Sequence, residues 1–214
     1  MKFDRKSLLL YIVTDRMWLG KNNLCNQVEE SILNGATFVQ LREKNILFDE
    51  FVTLAKEMKE ICKRHNVPFV INDNVDVALA VDADGVHIGQ SDEALRCARE
   101  RLGKDKIIGV SVQNAEDALF AKEGGADYLG VGAMFVTGTK KDASVVSMKK
   151  LKEITEKVKI PVVAIGGINE KNIQKFENEG IDGVAVISAI FAQKEIGEAT
   201  RKIRVLAEGV FLKK

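Results

Sequence analysis

Short apolar runs recur along the chain, and four of them share one grammar. "NGATFVQLRE", "ADGVHIGQ", "GGADYLGVGAMF" and "EGIDGVAVISA" each open on a small or glycine-rich break and continue into a mostly apolar run. Runs of this length, rich in Val and Ile and bounded by such breaks, are strands buried on both faces of a parallel sheet. Adding the runs that lack the motif predicts eight strands. They lie at 8–14, 37–42, 68–72, 85–89, 107–112, 128–134, 161–167 and 183–189.

Between them the apolar period lengthens from two to between three and four. In "FDEFVTLAKEMKEICKRH", Phe48, Phe51, Val52, Leu54, Ala55, Met58, Ile61 and Cys62 fall on one helical face with charges between them. "SDEALRCARERLG" opens on a capping residue and closes on Gly103. "NAEDALFAKEGG" and "NEKNIQKFENEG" predict helices capped by Asn114 and Asn169. Strand and helix alternate from end to end, the pattern of parallel βα units. Eight units in 214 residues predict an α/β fold, a single (β/α)8 TIM barrel over 1–214, ahead of an open doubly wound sheet.

Composition narrows the function classes. The chain is 46% hydrophobic and 29% charged with a net charge of +1, as for an ordinary soluble domain. That balance offers no basic face for nucleic acid. The apolar start breaks at Thr14-Asp15, too early for a signal peptide or a membrane span. Cys25, Cys62 and Cys97 are scattered, without CxxC spacing, which predicts reduced thiols and a cytoplasmic setting. There is no P-loop order and no complete dinucleotide fingerprint. His87, inside a strand, is expected to be a hydrogen-bonded core residue, and His65 to be exposed.

In a (β/α)8 barrel the chemistry sits on loops after the strands. Strand two is followed by Arg42, Glu43 and Lys44, strand three by Asp73 after Asn72, and strand five ends at Ser111. "GVGAMFVTGTKKDAS" leaves strand six straight into Thr137, Gly138, Thr139 and Lys140. Arg42, Lys44 and Lys140 form a candidate basic group for phosphate. Asp73 and Asp92, expected at the ends of neighbouring strands, would repel without a cation between them, and Mg²⁺ takes such carboxylates together with phosphate oxygens. For Asp92 the sequence weighs this equally against a first-turn helix acid. A second anion site is expected where "IGGIN" and "VISAI" end strands seven and eight.

The ordered set "YIVTD", "VQLREK", "INDNVDVALAVDADGVHIGQ", "GVS", "ADYLGVGAMF", "TGTKKD", "VVAIGGI" and "GVAVISAI" resembles the thiamine-phosphate synthase (thiamine-phosphate pyrophosphorylase) family from about Leu10 to Ile203. The resemblance implies a transferase that joins a hydroxymethylpyrimidine diphosphate to a thiazole phosphate, releasing diphosphate. It implies that Gln40, Leu41, Arg42, Glu43, Lys44, Asn72, Ser111 and Lys140 hold the pyrimidine diphosphate, with Arg42, Lys44 and Lys140 assisting departure. It implies Thr137, Gly138, Thr139, Gly167, Ile187 and Ser188 for the thiazole phosphate, and Asp73 and Asp92 for Mg²⁺. The partners implied are small molecules, and a homo-oligomer is compatible with the sequence. The chain departs from the family's usual prolines at Ala133 and Val136, and from its usual second aspartate at Ser91, so a looser loop before Thr137 is expected. The neighbouring readings are a thiazole tautomerase-like paralogue, which would carry a histidine in that loop, and a non-catalytic phosphate-ligand binder.

Overall fold

In the computed structural model, which describes residues 4–20, 22–90, 92–138 and 144–212 except the side chains of Asp92 and Glu93, the apolar runs become eight parallel strands. They are β1 Leu10–Val13, β2 Phe38–Leu41, β3 Phe69–Asn72, β4 Gly85–Ile88, β5 Ile107–Val112, β6 Tyr128–Val131, β7 Val162–Ile165 and β8 Gly183–Val186. Each pairs with the next, and β8 pairs with β1, so the sheet closes and the open-sheet alternative is set aside.

Side chains alternate across a strand, and here the alternation separates two cores. Tyr11, Val13, Phe38, Val70, Ile107, Tyr128, Val163 and Ala185 fill the barrel interior. Leu10, Ile12, Val39, Leu41, Ile71, Val86 and Leu129 face outward onto the helices. Inside, large residues are matched by glycines. A Cβ on Gly109 would lie 2.1 Å from Cζ of Tyr128, its register partner.

The shared grammar of the sequence has a structural counterpart at the N-terminal end of the barrel. Thr37, Asp84, Asp127 and Asp182 each precede an even-numbered strand, and each grips one residue of the preceding strand twice. Their backbone N–H groups donate to the carbonyls of Leu10, Phe69, Ile108 and Val162. Their side-chain oxygens accept from the N–H groups of the same four residues, at 2.9, 2.8, 2.7 and 2.8 Å. Asp84→Ala is therefore expected to strand the Phe69 N–H and cost about 1–3 kcal/mol. Urea unfolding should show a lower midpoint at unchanged slope, with activity per folded molecule retained because this end lies opposite the mouth.

The helices are α1 Leu24–Leu33, α2 Phe48–Arg64, α3 Val75–Ala80, α4 Asp92–Leu102, α5 Ala115–Glu123, α6 Met148–Lys157, α7 Ser188–Phe191 and α8 Ile196–Phe211. Asn114 caps α5 as expected, its Oδ1 accepting from Asp117 N at 2.9 Å, and α4 stops before Gly103 at φ +71. The helix expected over 169–180 is not there. One 3-10 turn, Ile173–Phe176, takes its place. Asn169 and Asn172 cause this: Asn172 Oδ1 accepts from Asn169 N, Asn169 Oδ1 from Lys171 N, and Asn172 Nδ2 donates to Gly167 O. Such side-chain bonds compete with helical ones. Ile173 and Phe176, three apart, are the buried pair of the turn, a spacing that suits a 3-10 period. Among the described residues no helix is long and apolar enough to cross a membrane.

Candidate active site

The C-terminal ends of the strands enclose a cavity of about 360 Å³. Gln40, Arg42, Lys44, Asn72, Asp73, Ser111, Thr137, Gly167, Ile187 and Ser188 all line it, so most of the expected site residues converge. The exceptions follow from the pleat. From Gln40 to Lys44 every second side chain turns inward, which sends Leu41 and Glu43 the other way. Leu41 is wholly buried in the outer core. Glu43 is buried too, one oxygen 2.6 Å from Arg16 Nε and the other, Oε1, without a hydrogen-bond partner among the described residues. Neither side chain lines the cavity, whereas the expectation took the whole 40–44 run as substrate-binding. Gly138 is exposed and outside the lining. Thr139, Lys140 and Ser91 lie outside the described residues.

Two cations at the mouth already have carboxylate partners. Arg42 Nη1 stands 3.5 Å from Asp15 Oδ2, at the end of β1, and Lys44 Nζ 3.1 Å from Asp73 Oδ2. Thr14 Oγ1 accepts from Arg42 N at 2.9 Å, fixing the root of the arginine as β2 ends. Asp73 follows β3 directly at φ 59, a left-handed conformation in which Asp and Asn are the commonest non-glycine residues. Its N–H donates to the His87 carbonyl at 2.9 Å. Asp92, by contrast, does not end a strand. It is the first residue of α4, and its side chain lies outside the description.

The other side of the mouth is built from β6, β7 and β8. After β6 the chain runs beside the end of β7, with Met134 N donating to Ile165 O and Phe135 N to Gly166 O, at 2.9 and 3.0 Å. Phe135 packs edge-on to Phe176 with ring centroids 6.0 Å apart. The loop is thus pinned as far as Phe135 without the prolines that the resemblance implies at Ala133 and Val136. Gly166 and Gly167 take φ +97 and +66, and Cβ atoms there would lie 2.6 Å from Ala133 and 2.7 Å from the Val136 carbonyl. Ile187 and Ser188 open α7 on the same wall. Backbone N–H groups in a first helical turn have no intrahelical acceptor and suit an anion.

His87 is the residue whose sequence reading was half complete. It is hydrogen-bonded in the core as expected, Nδ1 at 2.9 Å from Tyr128 Oη. It also lines the cavity, with Nε2 at 3.0 Å from Ser111 Oγ. Asp15, Tyr11 and Tyr128 were not singled out at all. A polar tyrosine tip on an inward strand position was the available signal.

The thiols offer no nucleophile here. Burial first, and then the charge of Glu57, pushes the Cys25 thiol up to about 11, and burial raises Cys62 as well. Cys97 is exposed on α4 and does not line the cavity. What the mouth offers instead is fixed charge and directed hydrogen bonds, a combination suited to holding two anionic groups and letting one depart.

A family model described as thiamine monophosphate synthase matches residues 10–190. A thiamine-phosphate synthase of Clostridium botulinum is 52% identical over 195 residues, covering 91% of this chain and 92% of its own. One of Clostridium tetani is 52% identical over 194 residues, covering 91% and 93%. The solved structure of a thiamine phosphate pyrophosphorylase from Pyrococcus furiosus superposes with a TM-score of 0.88 at 42% identity, covering 96% of this chain and 98% of that one.

Proposed function

The chain belongs to the thiamine monophosphate synthase family, and from that premise we propose how its mouth carries out the transfer. The activity is that of a thiamine-phosphate synthase, a transferase that joins a pyrimidine diphosphate to a thiazole phosphate with release of diphosphate. The observation that carries the assignment of roles is the convergence on one cavity of Arg42, Lys44 and Asp73 with Thr137, Gly167 and Ser188.

Arg42 and Lys44, with Lys140, hold the diphosphate. The bond from the pyrimidine CH₂ to the bridging oxygen breaks, and its electron pair leaves on the diphosphate. The aminopyrimidine ring delocalises the positive charge, and the thiazole nitrogen's lone pair then forms the new C–N bond. The guanidinium and the two ammonium groups do their work as charge builds on the departing oxygen. Gln40, Asn72 and Ser111 orient the pyrimidine. Thr137, Gly138 and Thr139, with Gly167, Ile187 and Ser188, seat the thiazole phosphate so that its nitrogen faces the CH₂ carbon. Leu41 and Glu43 act behind the wall, setting the pleat that presents their neighbours.

The donor set fits Mg²⁺. Asp73 is a hard, half-exposed carboxylate at the cavity, paired among the described residues with an exposed lysine, and Asp92 opens the helix that follows β4. Among the described residues no group of three or more His, Cys, Asp or Glu forms a cage, so the ion would be shared between these aspartates and the substrate. Mg²⁺ is commonly held by one or two carboxylates plus substrate phosphates. When bound it would offset the negative charge of the leaving diphosphate.

Incubating protein with both substrates and Mg²⁺ should yield diphosphate and thiamine phosphate in equal amounts. Accumulation of a thiazole isomer without diphosphate would replace this reading with the tautomerase one. Thr137→Ala is expected to raise KM for thiazole phosphate about tenfold, the scale of one charge-assisted hydrogen bond, while Lys140→Ala lowers kcat. Equal small effects on both constants from both variants would return the loop to the role of a solvated surface.

A further inference from the structure

Beneath the mouth an unbroken line of hydrogen bonds crosses the barrel interior. It runs from Gln40 Nε2 to Tyr11 Oη, then 2.8 Å to Tyr128 Oη, 2.9 Å to His87 Nδ1, and from His87 Nε2 3.0 Å to Ser111 Oγ. Both ends line the cavity, and the two tyrosines between them are at most 1% exposed. The rings cannot swing aside: Tyr11 packs on Phe38 at 4.5 Å and on Tyr128 at 5.9 Å between centroids, and Gly109 leaves only the width of the Tyr128 ring.

A buried polar network this deep costs desolvation, and a solely structural interior would more simply be apolar. Burial also raises both phenol pKa values, so the tyrosines stay neutral. Each hydroxyl then has one proton to give, and the line acquires a direction. Gln40 donates to Tyr11, Tyr11 to Tyr128, and Tyr128 to His87 Nδ1, which places the imidazole proton on Nε2, facing Ser111. Ser111 accepts it and has its own proton to present to the mouth. Gln40, its amide nitrogen engaged below, has its carbonyl oxygen to present. Turning the Gln40 amide over would reverse every bond in the line and exchange the two roles. With a neutral imidazole in the line, the two ends are of opposite kind, one acceptor and one donor.

We propose that Tyr11, Tyr128 and His87 are positioning residues that lock Gln40 and Ser111 into opposite hydrogen-bonding characters, so that the mouth selects a pyrimidine presenting an amino donor and a ring-nitrogen acceptor. The proposal rests on the reading of the mouth given above and extends it to the residues that join Gln40 to Ser111. The Gln40 carbonyl takes the 4-amino N–H, and the Ser111 hydroxyl donates to a ring nitrogen.

The test is a coupling measurement between groups that do not meet. Two unreactive pyrimidine diphosphate analogues, with CH₂ in place of the bridging oxygen, carry either the 4-amino group or hydrogen at that position. Their dissociation constants are measured by calorimetry on wild type, Tyr128→Phe and Tyr11→Phe, each checked by circular dichroism and for its KM for thiazole phosphate. In wild type, losing the amino group should weaken binding about tenfold. In either phenylalanine variant the same loss should cost about twofold or less, because Gln40 is no longer held to one character, while the thiazole KM stays the same. An equal amino-group penalty in wild type and a folded variant overturns the proposal alone. No binding of the 4-amino analogue to wild type overturns the assignment of the pyrimidine to this mouth, and the proposal with it.

Discussion

Asp73→Asn is expected to lower turnover by a factor of about 10²–10³, the scale of removing one strong charge-stabilising contact from a transition state. The substitution isolates charge. Asparagine adopts a left-handed backbone as readily as aspartate, so the φ of 59 at this position and the N–H bond to His87 O are retained. Asp73→Ala would add backbone strain to the loss of charge and confuse the two. Lys44, which pairs with Asp73 at 3.1 Å, is released rather than lost, so the affinity for the pyrimidine diphosphate should change little. The signature to measure is the Mg²⁺ dependence of diphosphate release: a low maximum rate reached only at higher Mg²⁺. Unchanged turnover with an unchanged Mg²⁺ curve would remove Asp73 from the metal site.

Gly167→Ala should be nearly as damaging, and on the other substrate. At φ +66 an alanine is strained by about 1–2 kcal/mol. Its methyl group would also lie 2.7 Å from the Val136 carbonyl and 2.8 Å from Phe135 Cβ. Those are backbone and ring-root atoms, which cannot give way as a flexible side-chain tip does. The segment that leads into Thr137 must shift instead. We expect KM for thiazole phosphate to rise by about 10²-fold, since more than one contact to the anion is misplaced together. Binding of the pyrimidine diphosphate, measured without the second substrate, should remain within about twofold of wild type on the same grounds. A thiazole KM near the wild-type value would show that this turn does not seat the phosphate.

How far the site could be read from the sequence depended on distance along the chain. Arg42, Asn72, Asp73 and Ser111 were legible because their position at or just past a strand end places them at the mouth without any long-range knowledge. Parity carried three residues past β2 separates Arg42 and Lys44 from Leu41 and Glu43. Asp92 misled because it sits four residues beyond Ile88, far enough for a helix to start. The segment 169–180 misled through its asparagines, which serve equally as helix caps and as turn-formers, and only the carbonyl of Gly167 decides between them. The buried tyrosines were illegible for a different reason. Tyr11 and Tyr128 are 117 residues apart, and no local pattern announces that their hydroxyls meet.

The doubled grips at the N-terminal end of the barrel also bear on how the chain reaches its shape. The residues they join are separated by only 27, 15, 19 and 20 positions, so each closes a short loop at modest entropic cost. They tie β1 to β2, β3 to β4, β5 to β6 and β7 to β8, dividing the barrel into quarters of two strands. Each quarter can thus form by itself before the ring shuts, which lowers the effective contact order of an otherwise non-local topology. Circular permutation offers a way to see this. New termini opened between α2 and β3, around Asn66, leave every quarter whole and should slow refolding little. Termini opened between α1 and β2, around Gly35, turn the β1–β2 grip from a closure over 27 positions into one between the two ends of the chain, and refolding should then wait on those ends finding each other.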